Sequence, residues 1–409
     1  MFKFPGNFLW GAATSAYQVE GGNTRADWWQ WEKETGKEPS GDACRHYGLY
    51  EQDFDLAKGL HHNAHRLSLE WSRLEPEEGQ FSEEALEHYL NVILALRARG
   101  IEPLVTLHHF TNPAWLAKKG GWENPGTVKL FLKYTAFILK KLAPQVRYWI
   151  TINEPTVYVY ESYIMGLWPP QIKSLWRART VENHLAAAHI KAYRLIHETY
   201  WRKKMQLPSV SIAQHMQDFV PCVPDFRNKL AASLRHRWFN LGLISKFRRH
   251  KALDFIGVNY YSRQRVEVQK WGLRNLFMDI CVKAEHRVPE TNSSGWEVYP
   301  EGLCRVLLKL KGYHLPIVIT ENGICTPDDA LRWRYIEAHL RSIHRAIREG
   351  APVTGYLYWS LMDNFEWHDG FGPRFGLIGI DYPTQQRTVR ESAVQFGKVC
   401  KTGALEQDL

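Results

Sequence analysis

Two short stretches of this chain set a carboxylate beside an amide: Thr151-Ile-Asn153-Glu154-Pro155 and Ile319-Thr-Glu321-Asn-Gly323. Each closes an apolar run that reads as a buried strand, so each carboxylate stands at a strand end. Cleavage of an acetal requires such a pair. One group donates a proton to the departing oxygen, and the other acts as nucleophile or base on the opposite face of the sugar. The plainer reading is that one or both glutamates cap the following helix or accept backbone hydrogen bonds. Other strand ends weigh against it. They carry Leu107-His-His109-Phe110, Asn259-Tyr-Tyr261 and Trp359-Ser360, the last followed by Asp363-Asn-Phe-Glu366-Trp367. Indole faces stack on the C–H faces of pyranoses, and Glu, His, Asn and Gln hydrogen-bond to hydroxyls, so the mixture suits a neutral sugar and suits a phosphate poorly.

Competing chemistries lack their residues. The pairs His61-His62 and His108-His109 are adjacent on strands, point to opposite faces, and so form no two-ligand metal site. There is no H-E-x-x-H, and no G-x-S-x-G follows a strand. The early turn Gly11-Ala-Ala-Thr-Ser-Ala16 has one glycine where a dinucleotide-binding turn needs several. Cys44, Cys222, Cys281, Cys304, Cys325 and Cys400 lie far apart, with no C-x-x-C, and read as free thiols in a reducing compartment. Two-carboxylate chemistry calls for no metal or organic cofactor.

The elements that must hold these residues alternate strand with helix. Eight apolar runs read as strands: Phe8–Gly11, Ala64–Leu69, Pro103–Thr106, Trp149–Ile152, Val210–Ala213, Phe255–Asn259, Ile317–Thr320 and Gly355–Trp359. Between them, Ser82 caps a helix with Leu86, Tyr89, Leu90, Ile93 and Leu96 on one face, ending at Gly100. Asn124-Pro125 starts another, with Val128, Phe131, Leu132, Thr135, Ile138 and Leu139 at helical spacing. Eight such units with right-handed crossovers close into a (β/α)₈ barrel, whose reactive residues sit at the C-terminal ends of the strands. The fourth and seventh strands carry the carboxylates and face each other across its mouth.

Composition sets the frame. The 409 residues, 44% hydrophobic and 23% charged, can bury a large core. Lys and Arg number 52 against 43 acids, a formal charge of +9. From Arg227 to Lys251 there are eight Lys/Arg residues and no acid, a run that reads as a solvated helix face or loop. No nucleic-acid partner is expected from it. No run of about 18 apolar residues occurs, and the opening Met-Phe-Lys-Phe-Pro-Gly has no signal-peptide character, so the expected location is the cytoplasm with no membrane partner.

Taken in order, these motifs resemble the glycoside hydrolase family 1 β-glucosidases from the first residues to about Ala393. The resemblance rests on Phe8-Leu-Trp-Gly through Glu20-Gly21, Arg66-Leu-Ser-Leu-Glu-Trp-Ser-Arg73, the two glutamate motifs, Asp254 through Tyr261, Gly295-Trp-Glu-Val-Tyr-Pro300 and Trp359 through Trp367. It implies a single (β/α)₈ domain over 1–409 that hydrolyses small β-glycosides with retention. Glu154 would be the acid/base and Glu321 the nucleophile. Arg66 would favour ionised Glu321 by lowering its pKa, and Tyr261 would donate to the same carboxylate. By the same resemblance Asn153 would hold the sugar 2-hydroxyl, while Gln18, His109, Glu366 and Trp367 would hold the others. Trp359 would form the floor, Phe110 and Phe375 the edges, and Trp296 would face the leaving group.

Single positions separate variants within the family. Glutamate rather than glutamine at 154 favours O-glycosides over thioglucosides. Glu366-Trp367, with no lysine before Arg374, disfavours 6-phosphorylated sugars. Two departures stand out. Arg45 replaces a common Asp, and the chain is short after Arg237-Trp-Phe-Asn240, inside the basic segment 227–251. A shorter wall there implies a more open aglycone side. The rival class is a sugar-binding protein on a glycosidase scaffold, with weak or no turnover.

Overall fold

The computed structural model describes residues 1–270, 272–281 and 290–406. Each of the eight apolar runs forms a strand, six of them one to three residues longer than the run and two a residue shorter. They are β1 (Leu9–Ala13), β2 (Ala64–Ser68), β3 (Glu102–His108), β4 (Tyr148–Asn153), β5 (Ser209–His215), β6 (Ile256–Asn259), β7 (Ile317–Asn322) and β8 (Val353–Trp359). All neighbours pair in parallel, and β8 pairs with β1 to close the barrel. Chain order is ring order, as right-handed β-α-β crossovers dictate.

Two apolar layers follow from alternation along the strands. Ala64, Leu104, Ile150, Ala213, Phe255, Val318 and Leu357, one from almost every strand or its leading residue, form a cluster of their own and plug the barrel's lower interior. Their neighbours Val105, Trp149, Ile212, Val258, Ile319 and Tyr356 pack outward against the helices in the main core. The helices form as their sequence directs. Ser82 accepts a hydrogen bond from the Ala85 N–H at 3.0 Å to start Glu83–Ala98, which buries Leu86, Tyr89, Ile93 and Leu96. Asn124 accepts from the Gly126 N–H at 2.8 Å at the head of Gly126–Leu142.

Alternation breaks where the chemistry lies. Counted from Ile150, which points into the barrel, strict alternation would turn Asn153 outward; the ladder between β4 and β5 slips between Ile150 and Asn153, and Asn153 lines the mouth. The ladder between β6 and β7 slips between Ile319 and Glu321. Such irregularities re-aim a side chain at the end of a strand. Just beyond, a Cβ on Gly323 would lie 1.8 Å from the Trp359 carbonyl, so the end of β8 passes as close as it does only because residue 323 has none.

Two expectations are corrected. Cys222 and Cys281 form a disulfide across 59 residues, because the parallel pair Asp218–Pro221 and Arg263–Val266, with the antiparallel bridge of Val266 to Ile280, brings the two together. Cys44, Cys304, Cys325 and Cys400 are free and buried. The basic segment is also not solvated throughout. Its helices, Phe226–Arg235 and Gly242–Arg249, expose Arg227, Lys229, Arg248 and Arg249, and the π-helical turn His236–Asn240 between them exposes Arg237, but Arg235 is buried. The Arg235 guanidinium donates to the carbonyls of Leu276 and Asp279 at 2.8 and 2.7 Å and to Gln264 Oε1 at 3.1 Å. Arg45, the other departure, lies exposed 3.6 Å from Asp42. Among the described residues no helix is long and apolar enough to cross a membrane.

Candidate active site

At the C-terminal mouth of the barrel lies a cavity of about 250 Å³, near the small end of ligand sites. Glu154 and Glu321 both line it. The last residue of β4, Asn153, is followed by Glu154 in the left-handed region, φ 42°, immediately before Pro155 starts the next helix. A non-glycine residue holds that conformation only where its surroundings insist on it. Here the Glu154 N–H donates to the Ala213 carbonyl at 2.7 Å. Its Oε1 accepts from Asn259 Nδ2 at 2.7 Å and faces His215 Nδ1 at 3.3 Å.

Glu321 is held from both sides. Arg66 Nη1 donates to its Oε1, and the Tyr261 hydroxyl donates to its Oε2 at 2.5 Å. Arg66 is fully buried, and its other nitrogens reach Asn153 Oδ1 at 2.6 Å and Thr106 Oγ1 at 3.1 Å. One guanidinium therefore ties β2 to β3, β4 and β7. The expectation that Arg66 would lower the Glu321 pKa is half met. Burial dominates and pushes the carboxyl up to about 7, Arg66 and Tyr261 pull it down, and the Glu154 charge pushes it up again.

The remaining expected residues gather around this pair. Asn153 Nδ2 lies 3.2 Å from His109 Nε2, and the His109 ring stacks at 6.0 Å on Trp359 and 6.1 Å on Trp367. His109 Nδ1 is buried without a partner among the described residues. Gln18 also lines the cavity, its amide taken up by Ser15, Asn364 and the Phe365 carbonyl. Glu366 accepts from Trp359 Nε1 at 3.2 Å; burial pushes its pKa up to about 8 and nearby carboxylates add to the rise. Phe110, Phe375 and Trp296 complete the aromatic lining, with Trp296 the most open of them at 44% exposure.

Asn259, named at the end of the sixth run but given no role, bonds Asn153, Glu154 and Thr320 at once. Several lining residues escaped the sequence reading. His215 stacks on Tyr261 at 5.8 Å; it sits at a strand end, the same signal that exposed the others, but the fifth run was read as ending at Ala213. Glu161 lines the cavity from the π-helical turn Tyr160–Met165, with Oε2 buried and without a partner among the described residues, and its pKa raised to about 7 by burial. Trp168, Trp238 and Arg235 line it as well. Nothing in their local sequence marks them.

A closed (β/α)₈ barrel whose mouth joins two carboxylates to amides, a histidine and indoles has the build of a glycoside-cleaving enzyme. The glycosyl hydrolase family 1 model matches residues 2–249 and 246–404. The chain is 31% identical to β-glucosidase A of Thermotoga maritima, over 99% of both chains, and 31% identical to a β-galactosidase of Pyrococcus woesei, over 96% of both. Among solved structures it is similar to a β-glycosidase from Pyrococcus horikoshii, with 39% identity, TM-score 0.92 and 99% of this chain against 96% of that one. It is similar too to the T. maritima β-glucosidase in complex with glucoimidazole, with 29% identity, TM-score 0.91 and 99% and 100% coverage. The chain belongs to glycosyl hydrolase family 1.

Proposed function

We propose that this protein is a retaining β-glycosidase that releases terminal β-glucosyl or closely related residues from small glycosides. One observation carries the reading. Two glutamates on opposite sides of one sugar-sized cavity are held differently: Glu321 between Arg66 and Tyr261, Glu154 by Asn259 and His215. Glu321, ionised and fixed by two donors, attacks the anomeric carbon. The bond to the aglycone oxygen breaks and that oxygen takes the proton of Glu154. Water then enters, gives its proton to Glu154 and cleaves the glycosyl ester, returning both carboxyls to their starting states.

The other lining residues take the roles their chemistry suits. Asn153, with Oδ1 occupied by Arg66 and Asn259 and one amide N–H facing His109 Nε2, keeps the other N–H for the 2-hydroxyl. His109, Gln18, Glu366 and Trp367 bind the outer hydroxyls. Trp359 lies beneath the ring, Phe110 and Phe375 flank it, and Trp296 meets the leaving group at the open side. The protein works as one domain of 1–409. The meeting of the two family-model matches at 246–249 supports a shortened segment within 227–251. A cytoplasmic location belongs to the same proposal, supported by four buried free thiols; the Cys222–Cys281 pair departs from that pattern.

The test is release of nitrophenol from p-nitrophenyl β-glucoside by the purified protein, with Glu321→Ala as control. Turnover, its loss in the variant by about a thousandfold or more, and its return with azide as the α-glycosyl azide establish Glu321 as nucleophile. Sugar binding by calorimetry without turnover on this substrate, the galactoside or the fucoside would overturn the proposal in favour of a binding protein.

A further inference from the structure

The small sheet beside the barrel has two faces. Its parallel pair, Asp218–Pro221 and Arg263–Val266, takes on a third member where Val266 bridges to Ile280 in antiparallel sense. Alternation along the strands turns Phe219, Gln264 and Val266 to one side, where the first two line the catalytic cavity and the third is buried. The other side carries Arg263, Arg265 and Glu267, in step with Cys222 and Cys281.

Backbone hydrogen bonds bring three of these side chains together. The Cys222 N–H donates to the Val266 carbonyl at 2.8 Å, which sets Cys222 beside Glu267. The Cys281 N–H donates to the Arg265 carbonyl at 3.0 Å, which sets Cys281 diagonally across from Glu267. The two sulfurs and a Glu267 carboxylate oxygen lie within 4.8 Å of one another, on half-buried side chains. Among the described residues no other three His, Cys, Asp or Glu side chains converge in this way.

We infer that, once the Cys222–Cys281 disulfide is reduced, Cys222, Cys281 and Glu267 bind a thiophilic divalent cation, zinc by preference, with water as the fourth ligand. Two thiolates and a carboxylate suit zinc, whereas magnesium and calcium require sets built of oxygen. Thiolates about 2.3 Å from a tetrahedral zinc stand about 3.8 Å apart. Side-chain rotation reaches that separation from Cα atoms 6.1 Å apart. Charge favours the complex as well. Zinc with two thiolates and a carboxylate carries one net negative charge, and on the same face Arg263 and Arg265 share the single carboxylate of Glu297, a surplus of one positive charge.

Disulfide and metal exclude each other. Two molecules of a thiol reductant break the S–S bond, each sulfur takes a proton, and the reductant sulfurs couple to a disulfide of their own. Zinc then displaces both protons and forms two zinc–sulfur bonds. In the reducing compartment proposed above, grouped cysteines serve a metal more often than a disulfide. That gives this pair a role beside the four buried free thiols. The site itself stands on the opposite face of the sheet from Glu154 and Glu321, and does not depend on the glycosidase reading.

The experiment reduces the purified chain with a water-soluble phosphine, which becomes its oxide, and titrates it with zinc against a chromophoric chelator. One zinc per chain is expected, with a higher melting temperature when zinc is added. The oxidised chain should show neither. Glu267→Gln retains both cysteines, so the disulfide it forms on oxidation reports that it folds; once reduced, it should bind zinc about tenfold more weakly or worse. The double variant Cys222→Ser, Cys281→Ser should lose about a hundredfold or more, since even the partners behind metal ligands are worth about 10- to 100-fold. Cobalt in place of zinc should give the near-ultraviolet absorption of thiolate ligation in the reduced wild type and not in the double variant. A reduced wild type without stoichiometric zinc overturns the inference. So does zinc that stays on the oxidised chain or on the double variant, which would place it on surface histidines or on the other thiols. Undiminished affinity in Glu267→Gln overturns the three-ligand site.

Discussion

The Tyr261 hydroxyl donates to Glu321 Oε2 at 2.5 Å, opposite the oxygen that Arg66 holds. The bond favours the carboxylate over the carboxylic acid, against a burial that pushes Glu321 up to about 7. Attack needs the ionised form, so kcat/KM falls as pH drops through about 7. Hydrogen bonds to charged groups contribute about 1.5–3 kcal/mol, equal to one or two pH units. Tyr261→Phe should therefore move the acid limb of the pH profile upward by about one unit, with a larger loss at pH 6 than at pH 8. A reduced rate with an unmoved acid limb would count against this account of Tyr261.

Glu366 answers to the opposite state. With its pKa raised to about 8 by burial, it carries its proton at neutral pH and can donate to a sugar hydroxyl. Glu366→Gln keeps a donor and an acceptor and should change kcat/KM for the glucoside by less than about fivefold. Glu366→Ala removes two neutral hydrogen bonds and should cost on the order of tenfold or more. The wild type should also lose affinity above pH 8, and the Gln variant should not. Equal damage from both substitutions would mean that the carboxylate, not the acid, does the binding.

The barrel was legible because its strands are short, apolar and separated by helices with ordinary caps, such as Ser82. The expected residues at strand ends were legible for a related reason, since a parallel barrel gathers those ends in one place. Their aim was not. Period-two alternation sends neighbours to opposite faces, and only the slips before Asn153 and Glu321 bring those side chains inward. Arg235 was hidden in a run of like charges, where composition does not reveal which residue folds under. Its burial depends on carbonyls of Leu276 and Asp279, about forty residues away. The disulfide was hidden likewise, its halves 59 residues apart.

Asn259 predicts a split between substrates. Its Nδ2 donates to Glu154 Oε1 at 2.7 Å and to Asn153 Oδ1 at 3.1 Å, so Asn259→Ala loosens the proposed acid without touching Glu321. Proton donation matters most when the leaving group is a poor one, and its full value is about a hundredfold to ten-thousandfold. Methyl or cellobiosyl substrates should lose about tenfold more kcat/KM than p-nitrophenyl β-glucoside, whose phenolate leaves with little help. Equal losses on both would show that Asn259 acts on sugar binding, not on Glu154.

Buried groups of both signs shape stability against pH. His62, His65, His108, His109, His189 and His339 have pKa values lowered by burial, His62 and His339 to about 3 and His108 and His189 to about 4. Unfolding lets them take up protons below about 6.5, so their contribution is lost as pH falls from there toward their folded values. Glu70, Glu161, Glu321 and Glu366 are raised by burial to about 7, 7, 7 and 8, so the folded chain holds protons that the unfolded chain releases above about 4.5. Their contribution is lost as pH rises through that window. The two effects oppose each other between 4.5 and 6.5, the ordinary values of the two kinds of group. Of these two sets, the histidines act below it and the glutamates above it. The melting temperature should therefore change least between pH 4.5 and 6.5, and fall on both sides. The slope is about 1.4 kcal/mol per pH unit for each net proton. Glu366→Gln should soften the fall between pH 6.5 and 8, and His62→Leu the fall below 4.5. A melting temperature that climbs steadily from pH 6.5 to 8 would show that these carboxyls are ionised in the fold at neutral pH, with their neighbours compensating the cost of burial.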